Sequence, residues 1–351
     1  MNNKVETELK YYCMEPEMLI QMASKKGFKK VKSKTEADEY FTDIDSEFIK
    51  NRTCLRIRKT GTDMEITFKG KSNSFFGVYC KEENNIDADI TEYDKYVKLF
   101  TSLGYYSYVK FEKQREVYTR TTDEYEYNIM IDTLPEIGGF VEFEIMSLIE
   151  NSTRNVLIKM LNKFVAEFSE LNLKEATEPY RDIVANYIYN QHIQKELHDV
   201  YINVDNTLAA YEKRFFKEYK DQIIKKTGTN IRWGIYKMNK SVEVKISSLI
   251  EEYIENLIFD SKELITCADL LKRLPCKIHV ITRVNQVFLE KLRDKLGIKI
   301  DDVIYVDETN RTKSTKNIKT ENSAVLTGMS LKDINSALLI IINKNREQNG
   351  N

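Results

Sequence analysis

Near the start of the chain Glu6, Glu8 and Lys10 alternate with Val5, Thr7 and Leu9. On a strand, that alternation sends two carboxylates and an ammonium group to one face. The pattern recurs. LRIR puts Arg56 and Arg58 on one face, and MEITFK sets Glu65, Thr67 and Lys69 opposite Met64, Ile66 and Phe68. IDADI sets Asp87 and Asp89 opposite Ile86, Ala88 and Ile90. FEKQREVY carries Lys113 and Arg115 together, YNIMID ends with Asp132, and FVEFEI sets Glu142 and Glu144 opposite Val141, Phe143 and Ile145. Any one of these strands could be the solvated face of an antiparallel sheet. As a set they differ, because the signs are sorted: acidic pairs on the first, the last and the IDADI strands, basic pairs on the middle ones. Like charges ~6.6 Å apart repel by roughly 2.5 kcal/mol at an effective dielectric of ~20, so a merely solvated face tends to mix its signs. Carboxylate oxygens are the ligands that Mg²⁺ or Mn²⁺ prefers, and arginine forks and lysine ammoniums match phosphate oxygens. The chemistry on offer is recognition of a metal-bridged polyphosphate, with Glu6 and Glu8 on the metal and Lys10 on a phosphate.

Those side chains converge only if the strands close into a barrel with the charged faces inward. The apolar faces then turn outward and need helices to cover them. Residues 1–150 read mostly as strands, interrupted by two helical patterns. EPEMLIQMASKKGF has Pro16 near its start and Gly27 as its stop signal, and YDKYVKLFTSLGY stops at Gly104. From Ser152 the period lengthens, and Val156, Leu157, Met160, Leu161, Phe164, Val165 and Phe168 form one apolar stripe. A further helix is expected from about Pro179 to Leu197. After Asp199 strand and helix alternate, as in an α/β domain. The change of pattern suggests one domain over residues 1–197 and a second over 198–345, ahead of the polar tail NKNREQNGN.

A chain of 351 residues is long enough for two cores, and 31% charged with 42% hydrophobic residues suits a soluble globular protein. The net charge of -1 argues against nonspecific nucleic-acid binding. Five cysteines without a CxxC pair suit a reducing cytoplasm, and the scattered His192, His198 and His279 offer no histidine metal site or triad. No apolar run reaches bilayer length and the start lacks a signal-like core. The expectation is a cytoplasmic protein without membrane or nucleic-acid partners, for which a homodimer is a possible assembly.

VETELK resembles the ExExK signature of the CYTH family, the triphosphate tunnel metalloenzymes. YFTD, LRIR, ITFKG, IDADI with the helix ending LGY, KQREVY, IDTLPEIGGFVEFEI and EPYRDIV follow in that family's order, over roughly residues 3 to 190. The resemblance implies an eight-stranded antiparallel tunnel with flanking helices that binds a triphosphate with Mg²⁺ or Mn²⁺. Carried over, Glu6, Glu8, Glu142 and Glu144 become the main metal carboxylates, supported by Asp132, Asp87 and Asp89. Lys10, Arg56, Arg58, Lys69, Lys113 and Arg115 become phosphate ligands, with Glu6, Glu8, Lys10 and Arg115 the catalytic set. The basic residue that many members carry before the acidic middle strand is not clear in KEENN, around Lys81. Hydrolysis of inorganic, thiamine or nucleoside triphosphate is the favoured reaction, because it needs no recognition of base or ribose. The alternatives are a class IV adenylyl cyclase, making cyclic AMP and pyrophosphate from ATP, and a non-catalytic triphosphate sensor.

VYINVDNTL resembles the first motif of haloacid-dehalogenase-like (HAD-like) phosphatases, with Asn203 at the nucleophile position and Asp205 and Thr207 matching. Asparagine cannot be an aspartyl nucleophile. KIHVITR resembles the second motif, Lys313, Lys316 or Lys319 would be the motif lysine, and ALLIIINKN reads as a final strand ending without acids. This implies a HAD-like α/β domain that is catalytically degenerate, with a helical insert over Ala209–Leu274. The other reading is an unrelated α/β domain in which Asp205 and Asn206 cap a helix.

Overall fold

The computed structural model describes residues 6–70, 73–75, 78–80, 83–149, 153–192, 197–203, 205–231, 240–305, 322–327 and 329–348. The chain forms two compact units, Met1–Tyr187 and Ile188–Asn351, whereas the change of pattern had suggested residue 197. In order, the first unit contains β1 (Glu6–Tyr12), α1 (Pro16–Lys25), β2 (Lys29–Asp43), α2 (Glu47–Lys50), β3 (Cys54–Thr60), β4 (Asp63–Lys69), β5 (Asn73–Phe75), β6 (Val78–Cys80), β7 (Glu83–Asp89), α3 (Tyr93–Ser102), β8 (Tyr105–Thr121), β9 (Tyr125–Leu134), β10 (Gly138–Ser147), α4 (Arg154–Ala166), β11 (Lys174–Glu175) and the start of α5 (Tyr180–His192).

Period-2 alternation gives each long strand one apolar face, and the helices cover it. Ile129, Ile131, Val141, Phe143 and Ile145 pack with Leu157, Leu161, Phe164 and Phe168 of the α4 region and with Leu19 and Ala23 of α1. A second cluster joins Phe41, Leu55, Ile57, Met64 and Ile66 to Phe100 of α3. The main sheet is antiparallel and has nine strands, in the order β11-β1-β10-β9-β8-β2-β3-β4-β7. The count of eight is corrected on two points: residues 174–175 add a short edge to β1, and β5 and β6 form a separate hairpin.

That hairpin shows the sheet to be curled. It is tied by a few residues to β4 and β7 at one end of the strand order, yet β6 lies beside β1 near the other end. A short connection cannot bridge a flat sheet of this width, with neighbouring strands roughly 4.8 Å apart.

Gly139, at the start of β10, lies against Cys13, the residue just past the end of β1. Its carbonyl accepts from the Cys13 N–H at 2.9 Å. A Cβ there would stand 2.4 Å from the Cys13 carbonyl oxygen, a backbone atom that cannot swing aside. Gly139→Ala is therefore expected to destabilise the protein by about 1–3 kcal/mol, read as a lower urea midpoint at unchanged slope.

The second unit contains β12 (Asp199–Ile202), α6 (Asp205–Glu218), α7 (Lys220–Thr227), α8 (Lys240–Asn256), α9 (Lys262–Leu271), β13 (Lys277–Thr282), α10 (Gln286–Leu296), β14 (Asp302–Tyr305), β15 (Ser323–Leu326) and α11 (Leu331–Gln348). Its sheet is parallel, in the order β14-β13-β12-β15, with α6, α7, α8 and α9 between β12 and β13 in the chain. This is an α/β unit; a sheet of this order serves many functions and does not by itself carry the HAD-like reading. Asn203 directly follows β12. The Asp205 side chain and Lys313, Lys316 and Lys319 lie outside the described residues. ALLIIINKN, expected as a strand, belongs to α11. A short apolar run fits a buried helix equally well, and Ser330 accepts from the Asp333 N–H at its start. Among the described residues no helix is long and apolar enough to cross a membrane, and Cys13, Cys267 and Cys276 form no disulfide.

Candidate active site

Strand register decides which side chains share the inner face, because directly opposed residues point the same way. Glu8 stands opposite Glu144 and Lys10 opposite Glu142. Asp132 stands opposite Arg115, and Arg115 opposite Lys34. Glu36 faces Lys113, Asp38 faces Arg58, Arg58 faces Glu65, Arg56 faces Thr67, and Glu65 faces Asp87. One continuous lining thus brings together Glu8, Lys10, Arg56, Arg58, Lys69, Asp87, Lys113, Arg115, Asp132, Glu142 and Glu144 from the sequence-derived set. The side chain of Glu6 and all of Lys81 lie outside the described residues. Asp89 does not join the cluster, because its carboxylate caps the following turn, accepting from Thr91 N at 2.8 Å and Thr91 Oγ1 at 2.7 Å.

The basic wall is held by resident carboxylates. Arg115 donates from Nε to Asp132 Oδ1 at 2.7 Å and from Nη2 to Asp132 Oδ2 and Glu142 Oε2. Lys113 donates to Asp132 Oδ2 at 2.9 Å and lies 3.2 Å from Glu36 Oε2. Arg58 grips Asp38 with two 2.7 Å bonds and reaches Glu36 Oε2 at 3.2 Å. Arg56 donates to Glu65 at 3.0 Å and Thr67 at 2.9 Å. Asp132 and Glu36 are fully buried and Lys113 nearly so, at 1% exposure. Asp132, expected to support metal, thus has both oxygens engaged with the basic groups and with the Tyr180 hydroxyl, at 2.8 Å.

Charge on this wall is fixed by pairing. Burial opposes ionisation of Glu36 and Asp38, but Arg58 and Lys113 outweigh it and hold both carboxyls below the usual range. Burial likewise opposes the Glu142 carboxylate, yet Arg115, Lys113 and Lys10 pull its pKa down. Glu8 goes the other way. Solvent reaches it along the lumen, but desolvation by the surrounding strands and then the like charge of Glu142 raise its pKa, beyond the help of Lys69, Arg115 and Lys10. Burial lowers the pKa of Lys10, and Glu142 and Glu8 partly restore it.

Four positions of the lining escaped the sequence reading. Glu36 and Asp38 alternate within TEADEYF, but acidic Glu39 on the outer face, paired with Lys110 at 3.2 Å, blurs the pattern. Asn128 donates to Glu144 at 3.0 Å and Glu126 at 3.1 Å, while Thr119 donates to its carbonyl oxygen at 2.6 Å. Tyr180 arrives from α5, where no strand alternation points to it.

The family model of the CYTH domain matches residues 4–181. The chain belongs to the CYTH family. Its CYTH domain is similar to a Methanocaldococcus jannaschii protein named as a candidate adenylate cyclase, 29% identical over 140 residues that span 40% of this chain and 76% of the relative. Among solved structures it is similar to a Pyrococcus horikoshii OT3 protein, with 24% identity, 52% of this chain and 99% of that one covered, and a TM-score of 0.42. It is also similar to a Hippeastrum protein described as a candidate adenylyl cyclase with a dominant triphosphatase activity, with 13% identity, coverage of 52% and 96%, and a TM-score of 0.41.

Proposed function

We propose that the CYTH domain hydrolyses a triphosphate compound with Mg²⁺ or Mn²⁺. The observation that carries this reading is the convergence of Lys10, Arg56, Arg58, Lys113 and Arg115 on one inner face with the carboxylates Glu8, Glu142 and Glu144 beside them. The cations present donors to phosphate oxygens and stabilise charge on the transferring and leaving groups. Water attacks the terminal phosphorus, the bond to the bridging oxygen breaks, and orthophosphate, the shortened phosphate and a proton are released.

The acidic side suits a divalent cation. Burial and, after it, the like charge of Glu142 raise the pKa of Glu8, and an ion shared with Glu144 would stabilise the ionised carboxylates. Among the described residues no three such groups already gather as a metal cage. An ion would therefore draw further ligands from phosphate and water, the habit of Mg²⁺. When bound it would neutralise phosphate charge and lower the barrier to attack. Asn128 holds one of these carboxylates, so Asn128→Leu, which removes the donor without adding charge, is expected to weaken Mn²⁺ binding by about 10- to 100-fold, read by calorimetry on the full chain.

The likeness to a protein named as an adenylate cyclase supplies the second reading. Incubation with ATP, and separately with tripolyphosphate, in the presence of Mn²⁺ separates the two by product mass. Orthophosphate from both substrates supports hydrolysis, cyclic AMP with pyrophosphate supports the cyclase, and tight binding without turnover supports a sensor.

A further inference from the structure

Residues 174–180 run along the end of β1 and then turn into the lumen. Tyr11 pairs with Glu175, and the Ala176 N–H donates to the Lys10 carbonyl at 2.8 Å. Pro179 starts the helical turn, its carbonyl accepting from the Asp182 N–H at 2.9 Å. Arg181 anchors the helix to the start of β3 through a 2.7 Å bond to the Thr53 carbonyl. This places the Tyr180 ring, only 6% exposed, against two of the phosphate-binding lysines. The Lys10 ammonium lies 4.3 Å from the ring centroid and that of Lys113 lies 4.7 Å away. Lys10 also donates to the Glu178 carbonyl at 2.5 Å. Phe140 meets the ring edge-on, at 5.2 Å and 87°, and Phe111 at 6.4 Å, so its plane is fixed.

An aromatic face holds a cation differently from a carboxylate. It attracts the ammonium through its quadrupole without neutralising it, so the charge stays available to a phosphate. Arg56, Arg58, Lys113 and Arg115 are held by carboxylates; Lys10 instead rests on the ring and on a backbone carbonyl, and Lys113 meets the same ring from within its carboxylate pairs. The same residue reaches the other side of the wall through its hydroxyl, which donates to Asp132, the partner of both Lys113 and Arg115.

We propose that Tyr180 is the positioning residue for the substrate's phosphates: its ring aims Lys10 into the lumen while its hydroxyl fixes Asp132, the carboxylate that aligns Lys113 and Arg115. This rests on the reading of the lumen as a triphosphate site. Its contribution belongs to binding more than to the chemical step, because ground-state phosphate already carries the charge that the lysines meet.

The test uses the full chain, tripolyphosphate and Mn²⁺. Tyr180→Leu is expected to raise KM by about tenfold with kcat changed by less than about threefold, the size expected for two cation–ring contacts. Tyr180→Phe keeps the ring and should recover most of that loss. A fluorinated phenylalanine series at position 180 preserves shape while draining charge from the ring face, which keeps the test decisive should Tyr180→Leu fail to fold. KM rising stepwise from phenylalanine to its trifluoro form, at constant melting temperature, is the expected result. A flat series overturns the positioning role and leaves the triphosphate reading standing. A wild-type chain that neither binds tripolyphosphate by calorimetry nor turns it over overturns both.

Discussion

Glu8→Gln is expected to slow orthophosphate release from tripolyphosphate by about 10²- to 10³-fold while leaving the fold at least as stable as wild type. The substitution keeps shape and deletes charge at the carboxylate whose ionisation burial and Glu142 disfavour. The sign follows from linkage. A carboxyl with a raised pKa takes up its proton more readily in the folded chain, so it favours folding as pH falls toward that value and costs stability when ionised above it. Glutamine removes that cost at neutral pH. The same shift sets the acid limb of activity, which should decline as pH falls through the raised pKa of Glu8. More Mn²⁺ should move this limb to lower pH, because a bound cation competes with the proton. Initial rates across pH at two Mn²⁺ concentrations, with thermal melts of both proteins, check each part. Full activity in Glu8→Gln would remove this carboxylate from the site.

Arg115→Ala should lose activity and stability together. It is expected to cost about 3–5 kcal/mol, the penalty for leaving buried charges without their partner, and about 10²- to 10³-fold in turnover, as for loss of a charge-stabilising donor. Its guanidinium is shared by Asp132 and Glu142, both buried, so its removal strands two carboxylates at once. Adding Asp132→Asn should return part of the stability and none of the rate. Urea denaturation of the single and double variants reads the first, and phosphate release the second. A stable Arg115→Ala protein would mean that the two carboxylates are solvated well enough to stand alone.

The lining was legible wherever charge and apolarity alternated cleanly. LRIR, FEKQREVY and FVEFEI each announced an inward pair, and the register put them on one face. Legibility failed where alternation was broken or absent. TEADEYF hides Glu36 and Asp38 behind an outward acid. IDADI offered two aspartates, but a strand ends somewhere, and Asp89 is spent capping the turn that follows. Tyr180 lies within EPYRDIV, but it enters from a helix remote in sequence, and its place among the charges shows only in the tertiary packing. ALLIIINKN shows the opposite error, since an apolar run carries no period with which to choose between strand and helix.

On the triphosphate reading proposed above, the resident ion pairs would make the channel selective by exchange. Arg58, Lys113 and Arg115 already hold counter-ions of their own, covalently tethered and perfectly placed. A chloride or a lone orthophosphate would have to evict a carboxylate and gain little by it. Only a visitor that meets several cations at once, and brings metal to satisfy the displaced acids, can make the trade favourable. Background electrolyte should therefore compete far less here than at an open basic surface.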